Sequence, residues 1–211
     1  MRFDDYQTDG FYDELFDDTA QPRSGAERLI REVERLPPGD LERRQRLCDA
    51  ALVRMGITFG VYGSESGVDR AFPFDLIPRI VGSSEWTVIE RGLKQRVEAL
   101  NLFIDDIYHD QRVVKDGIVP KELIETAAGF RKQCVGLNPP HGIWCHVVGT
   151  DLVRDEKGQL FVLEDNLRVP SGVSYVLANR QLMKRTFPEV FAASRVRPVA
   201  DYPTRLLRML M

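Results

Sequence analysis

Apolar residues recur every three or four positions from 86 to 107: Trp86, Ile89, Leu93, Val97, Leu100, Ile104 and Ile107. That spacing aligns them on one helical face. The helix starts from the Ser83/Ser84 pair and runs as one long element, or as two in series with a break at Gly92. Its stripe is expected to be core. A shorter stripe, Leu29, Ile30, Val33 and Leu36, follows Ser24, and Glu27 three positions on completes a capping-box pattern. Pro37-Pro38-Gly39 stops that helix. Asp40 can cap a second one, which would turn Leu41, Leu47, Cys48, Ala51, Leu52 and Met55 inward and end at Gly56. The pair reads as a helical hairpin.

Extended segments alternate with these. ITFGVY at 57–62 has the makings of a short strand, followed by the flexible turn GSESG. FPFDLIPRIV at 72–81 carries two prolines and is expected to be extended or at a sheet edge. Residues 112–114 suit a strand, Asp116-Gly117 a turn, and Pro120 the first turn of another helix. Pro139-Pro140-His141-Gly142 is expected to be a loop. IWCHVVGTDLVR at 143–154 and QLFVLEDN at 159–166 then read as antiparallel strands joined by a turn at Asp155–Gly158. Residues 1–22 form an acidic arm in which Phe11, Tyr12, Leu15 and Phe16 are available for docking, and 23–211 hold the main domain. Helices and strands mix irregularly, which gives an α+β class.

The hairpin at 143–166 carries the chemistry. With Arg154 facing Gln159, Asp151 lies opposite Val162, and Val162, Glu164 and Asn166 share its face. Asp151 and Glu164 become diagonal neighbours within reach of one cation. The opposite face, with Thr150, Leu152, Phe161, Leu163 and also Asp165, would turn to the core. Magnesium takes oxygen ligands in octahedral geometry and is commonly held by one or two carboxylates plus substrate phosphates. Two acids and an amide oxygen leave positions for phosphate and water, and Arg168, two residues beyond Asn166, offers a permanent positive charge in a planar fork. The same residues also suit a solvated hairpin with ordinary surface acids.

Composition changes this picture little. The 211 residues, 43% hydrophobic and 29% charged, are ordinary for a globular chain. A net charge of −3 gives no general pull toward nucleic acid or membrane. No apolar run is long enough to span a bilayer, and the acidic start lacks a secretory pattern, so the cytoplasm is the expected location. Charge is uneven: residues 1–20 hold seven acids and one base, residues 180–211 seven bases and two acids. The basic end interleaves with Leu, Met, Phe and Val, which suits a helix with a solvated basic face better than an RNA-binding tail. Cys48, Cys134 and Cys145 make no CxxC pair, and His141, Cys145 and His146 lack a fourth zinc ligand at sensible spacing.

VLEDNLRVPSGVSYVLANR, together with FPFDLIPRIV, EWTVIERGLKQRVEALNLFIDDIYHDQ, GTDLVRDEKGQLFVLEDN and DYPTRLL, resembles the circularly permuted ATP-grasp proteins and the glutathionylspermidine synthase relatives among them. The resemblance covers most of residues 20–211. It implies the front part of a permuted ATP-grasp domain with helical decoration, and Asp151, Glu164 and Asn166 as magnesium ligands. It further implies Arg168 as a phosphate or acyl-phosphate contact and Arg79 as a substrate or nucleotide contact. Ser171 and Gly172 would be the small residues of a loop near the reacting phosphate. Plainer roles stay open: a surface arginine beside Pro78 for Arg79, a fixed turn for Ser171 and Gly172.

The chemistry so implied is ATP-dependent ligation with Mg2+ and ATP, in which a carboxylate becomes an acyl phosphate that a peptide-like amine converts to an amide. Family members are considerably longer, and no glycine-rich phosphate loop with a following lysine is present. Lys157 and Lys184 sit in poor contexts for that role. The expectation is therefore a ligase, or the metal-binding part of one, as a fragment, a shortened product or one of two chains. The alternative is a truncated, non-catalytic ATP-grasp module acting as a binding or assembly partner.

Overall fold

The computed structural model describes residues 3–59 and 70–211. It divides into two compact units: residues 1–82, 152–161 and 171–211 in the first, and 83–151 with 162–170 in the second. The class is α+β, helices with small two-stranded sheets.

In the first unit, α1 (Glu27–Arg35) and α2 (Asp40–Arg54) form the expected helical hairpin. Leu29 and Val33 from α1 meet Cys48 and Leu52 from α2, with Leu76, Leu182 and Phe187 completing the core. Each fully buried aliphatic side chain contributes roughly 1.5–3 kcal/mol relative to exposure. Ser24 is not the cap of α1. Ala26 occupies that position in helical backbone, and Glu27, the first helical residue, accepts the Gly25 N–H at 2.9 Å, so the reciprocal box is not formed. Asp40 is the first residue of α2 rather than its cap, and its carboxylate accepts from Arg43 and Arg44. Leu47 and Met55, expected inside, are 55% and 44% exposed. The buried seam of α2 is one residue wide, Cys48 and Leu52, and Leu47 lies about 100° around the helix from Cys48.

β1 (Thr58–Phe59) pairs antiparallel with β2 (Arg70–Ala71). The expected strand at 57–62 is described only to residue 59, and the GSESG turn lies outside the described residues. Residues 72–81 are neither helix nor strand; they bend at Leu76 and Ile77, where the Ile77 N–H donates to Asp75 Oδ1 at 2.9 Å, and bury Leu76. The acidic arm is docked, not free: Phe16 is buried and pairs with Pro22, and Phe3 and Tyr6 pack on its ring at 5.2 and 5.3 Å. Phe11 stays 70% exposed.

The second unit is organised by α3 (Ser83–Tyr108), a single helix that Gly92 does not break. Its stripe is less enclosed than core: no residue of α3 is buried, and Trp86 is 38% exposed. Ile124 is the one buried hydrophobic residue of this unit among those described. Residues 112–115 form a short helix, α4 (Arg112–Lys115), not a strand. The Asp106 carboxylate accepts the N–H groups of Arg112 and Val113 at 2.9 and 3.0 Å, which starts a helical turn. α5 (Lys121–Glu125) follows Pro120.

β3 begins at Gly149, not at residue 143. The Trp144 and Cys145 N–H groups donate to Asn101 Oδ1 at 2.8 and 3.0 Å, and the Trp144 indole N–H donates to Asp105. These bonds to α3 take the place of a strand ladder. β3 (Gly149–Arg154) and β4 (Leu160–Asn166) make the second sheet. The basic end of the chain is three helices, α6 (Val173–Thr186), α7 (Pro188–Ala193) and α8 (Tyr202–Leu210), instead of one. α6 packs on α2 and α7 on α1. No helix among the described residues is long and apolar enough to cross a membrane.

Candidate functional site

The hairpin register differs by one residue from the expected one. The Asp155 N–H donates to the Gln159 carbonyl at 3.0 Å, so Asp155 faces Gln159 and Arg154 faces Leu160. Arg154 also donates to the Gly158 carbonyl at 2.6 Å and lies over the Tyr12 ring, which ties down the turn. Thr150, Leu152 and Arg154 of β3 are half-buried, as are Leu160 and Val162 of β4. Asp151, Val153, Phe161 and Leu163 are exposed. Val162 therefore lies away from Asp151, and Phe161 and Leu163, expected on the core face, are 47% and 66% exposed.

A register shift of one should also have turned Glu164 and Asn166 away from Asp151. It does not, because the alternation slips. Leu163 and Glu164 are both exposed in succession, Asp165 turns in and Asn166 turns out. One extra residue in a strand has this effect. Asp151, Glu164 and Asn166 are thus all exposed, with the half-buried face opposite them.

Within that set, the Asn166 side-chain amide donates to Glu164 Oε1 at 3.1 Å. The donors are hard oxygens, the chemistry that suits Mg2+ or Ca2+ and not zinc or copper. Among the described residues no cluster of three or more His, Cys, Asp or Glu side chains gathers as a metal site. The hairpin set has two such residues and an amide.

The chain after β4 is strained. Arg168 is exposed, and Val169 has φ +45°, a region β-branched residues avoid at a cost of roughly 1–3 kcal/mol. Pro170 then folds back over Gly149, where any Cβ would come within 3.0 Å of the proline ring. Ser171 and Gly172 lead into α6: the Ser171 carbonyl accepts the Ser174 N–H and hydroxyl, and the Gly172 carbonyl accepts the Tyr175 and Val176 N–H groups. Arg79 belongs to the first unit, 84% exposed and 3.9 Å from Glu14.

Two residues of this region were not legible as important. Asp165, expected on the core face, is enclosed there to 8% side-chain exposure and accepts from Arg96 Nε at 2.6 Å and Thr150 Oγ1 at 2.8 Å. Arg96 lies 69 positions away on α3, at the edge of the apolar stripe seven residues after Ile89 and four before Leu100, and nothing near it in the sequence names its partner. Gly149 gave no signal either, since its role appears only once Pro170 is seen against it.

Residues 78–211 match the family model of circularly permuted ATP-grasp type 2. The chain belongs to that family. An uncharacterized protein of Synechocystis sp. is 52% identical over the whole of this ATP-grasp chain, which corresponds to 44% of the Synechocystis protein. An uncharacterized protein of Mycobacterium leprae is 44% identical over 99% of the chain and 37% of its own length. A Frankia casuarinae protein, provisionally named glutamate–cysteine ligase 2-2, is 42% identical over 88% of the chain and 21% of its own length. The ATP-grasp chain spans less than half the length of these relatives. The likeness to glutathionylspermidine synthase is not carried by these matches.

Proposed function

We propose that this chain is the metal-binding part of an ATP-dependent carboxylate–amine ligase, with Asp151, Glu164 and Asn166 as ligands of Mg2+. The observation that carries the reading is the set of two carboxylates and an amide on the exposed face of one strand pair, within the stretch matched to the ATP-grasp family. Magnesium held there would neutralise phosphate oxygens of ATP. Arg168 is assigned to a phosphate or acyl-phosphate oxygen, for which its fork is suited. Ser171 and Gly172, at the start of α6, are assigned to the phosphate loop, where free N–H groups and the helix dipole favour an anion. Arg79 is proposed as a contact for the substrate or nucleotide.

The reaction needs no side-chain nucleophile. A substrate carboxylate oxygen bonds to the γ-phosphorus as the bond to ADP breaks, and an amine then displaces phosphate from the acyl carbon. The residues' part is to position and to neutralise charge. An amino-acid or peptide carboxylate and amine are the proposed substrate class, which the name of the Frankia relative supports. A peptide joined to a polyamine, as in glutathionylspermidine synthesis, is the finer form of this proposal.

Thermal melting in Mg2+, ATP and both together tests the reading. A ligand that binds only the native state adds about 2.7 kcal/mol at a hundred times its Kd. A rise in midpoint with Mg-ATP that Glu164→Gln abolishes supports the assignment. A rise that Glu164→Gln leaves intact refutes it. Binding without turnover of amino-acid substrates fits the metal-binding part of a longer enzyme or a non-catalytic module. Turnover restored by the remaining sequence of a longer relative separates the two.

A further inference from the structure

We propose that Asp165 sets the phase of β4 and so holds Glu164 and Asn166 on the face they share with Asp151; the inference rests on the metal reading above. Leu160 and Val162 lie on the half-buried face, so strict alternation would carry Glu164 to that face and leave Asp165 outside. The structure has the reverse: Leu163 and Glu164 are exposed in succession and Asp165 is enclosed.

What holds the slip is a pair of charge-assisted bonds. Asp165 Oδ2 accepts from Arg96 Nε at 2.6 Å, and Asp165 Oδ1 accepts from Thr150 Oγ1 at 2.8 Å. Both carboxylate oxygens are engaged, one by α3 and one by β3. Thr150 is the residue before Asp151, and Asp165 lies between Glu164 and Asn166. Neighbouring side chains on a strand point to opposite faces, so one bond on the enclosed face fixes the outward direction of all three candidate ligands. An enclosed carboxylate without these partners would be costly, so the strand loses its reason to slip if either partner goes. Asp165 is a positioning residue: it touches no ligand and acts through its neighbours. The group it serves is a site for one hard divalent cation.

The test uses Mn2+ alone as the probe on the full 211-residue chain, with amide hydrogen exchange as the second measurement. Asp165→Asn keeps the shape but loses the charge and one acceptor. It is expected to raise the Mn2+ Kd about tenfold or more, in the range of outer-shell substitutions at metal sites, and to speed exchange at residues 162–166. Arg96→Gln should reproduce both effects, and Arg96→Lys should recover part of the affinity. Ile124→Val, which trims a buried side chain on α5, controls for general loosening and should leave the Mn2+ Kd unchanged. Wild-type affinity and wild-type exchange in Asp165→Asn overturn the inference while the metal reading stands. A wild-type chain that binds no Mn2+ overturns the metal reading and the inference with it.

Discussion

Asn166 donates its side-chain amide to Glu164 Oε1 across 3.1 Å, two positions apart on the exposed face of β4. The bond orients the carboxylate while the Asn166 carbonyl oxygen remains available as an acceptor, so one residue does two tasks. Asn166→Asp would replace this bond with two like charges at the same separation. The expected result is a small loss of stability without cations, a few tenths of a kcal/mol at so exposed a place. The loss should be recovered, and the melting midpoint made more cation-dependent, when Mg2+ or Mn2+ is added. Denaturant melts at several cation concentrations check this; a variant with the wild-type cation dependence would argue against Asn166 as a ligand.

Asn101 is the main polar fastener of the segment before β3. Its Oδ1 receives two N–H groups, from Trp144 and Cys145, while Trp144 stacks on Tyr108 at 4.8 Å and Tyr108 on Phe130 at 5.2 Å. Asn101→Leu leaves both donors without an acceptor at a cost of about 1–3 kcal/mol. The indole would lose its fixed place beside Asp105. Chemical denaturation gives the energy, and the Trp144 emission maximum, read in a Trp86→Phe background, should move to the red. An unchanged midpoint would show that water replaces Asn101 without cost.

The docked arm predicts a pH dependence at both ends of the scale. Burial alone would raise the Asp13 carboxyl, but the Tyr6 hydroxyl, the Phe16 and Leu15 N–H groups and the charge of Arg23 outweigh it and hold it below 3.8. Tyr6 is pushed up to about 12, first by its hydrogen bond to Asp13 and then by burial. Because the folded value of Asp13 is depressed, its stabilisation is complete above about pH 4 and is lost as pH falls through the folded value. For Tyr6 the raised value favours the neutral phenol, so its contribution is present below about pH 10 and lost as pH rises toward the folded value. Asp13→Asn should flatten the stability profile below about pH 4; a profile of wild-type steepness would place the acid sensitivity elsewhere.

The helices were legible because their information is local. The spacing of Leu29, Ile30 and Val33 and the long stripe of α3 each repeat within a few residues, and both elements lie where that periodicity puts them. How deeply a stripe is covered is not local information, and the exposed edge at Trp86 was not foreseen. The strand at 143–148 failed for a related reason: Val, Ile and Trp favour strands, but Asn101 and Asp105 from α3 claim the backbone and indole donors there. The exposure of Glu164 and Asn166 agrees with the sequence pattern, though through a register and a slip that the pattern does not contain. Asp165 decides that slip through Arg96, and a bond spanning 69 positions leaves no trace in a local pattern.

Paramagnetic broadening by Mn2+ tests the central claim most directly. With amide resonances assigned, substoichiometric Mn2+ is predicted to broaden signals from residues 150–152 and 163–167 first, and Asp151→Asn or Glu164→Gln should remove the effect. Broadening centred instead on the surface formed by Asp105, Asp106, His109 and Asp110, or none at the hairpin, would contradict the assignment of Asp151, Glu164 and Asn166 as a cation site.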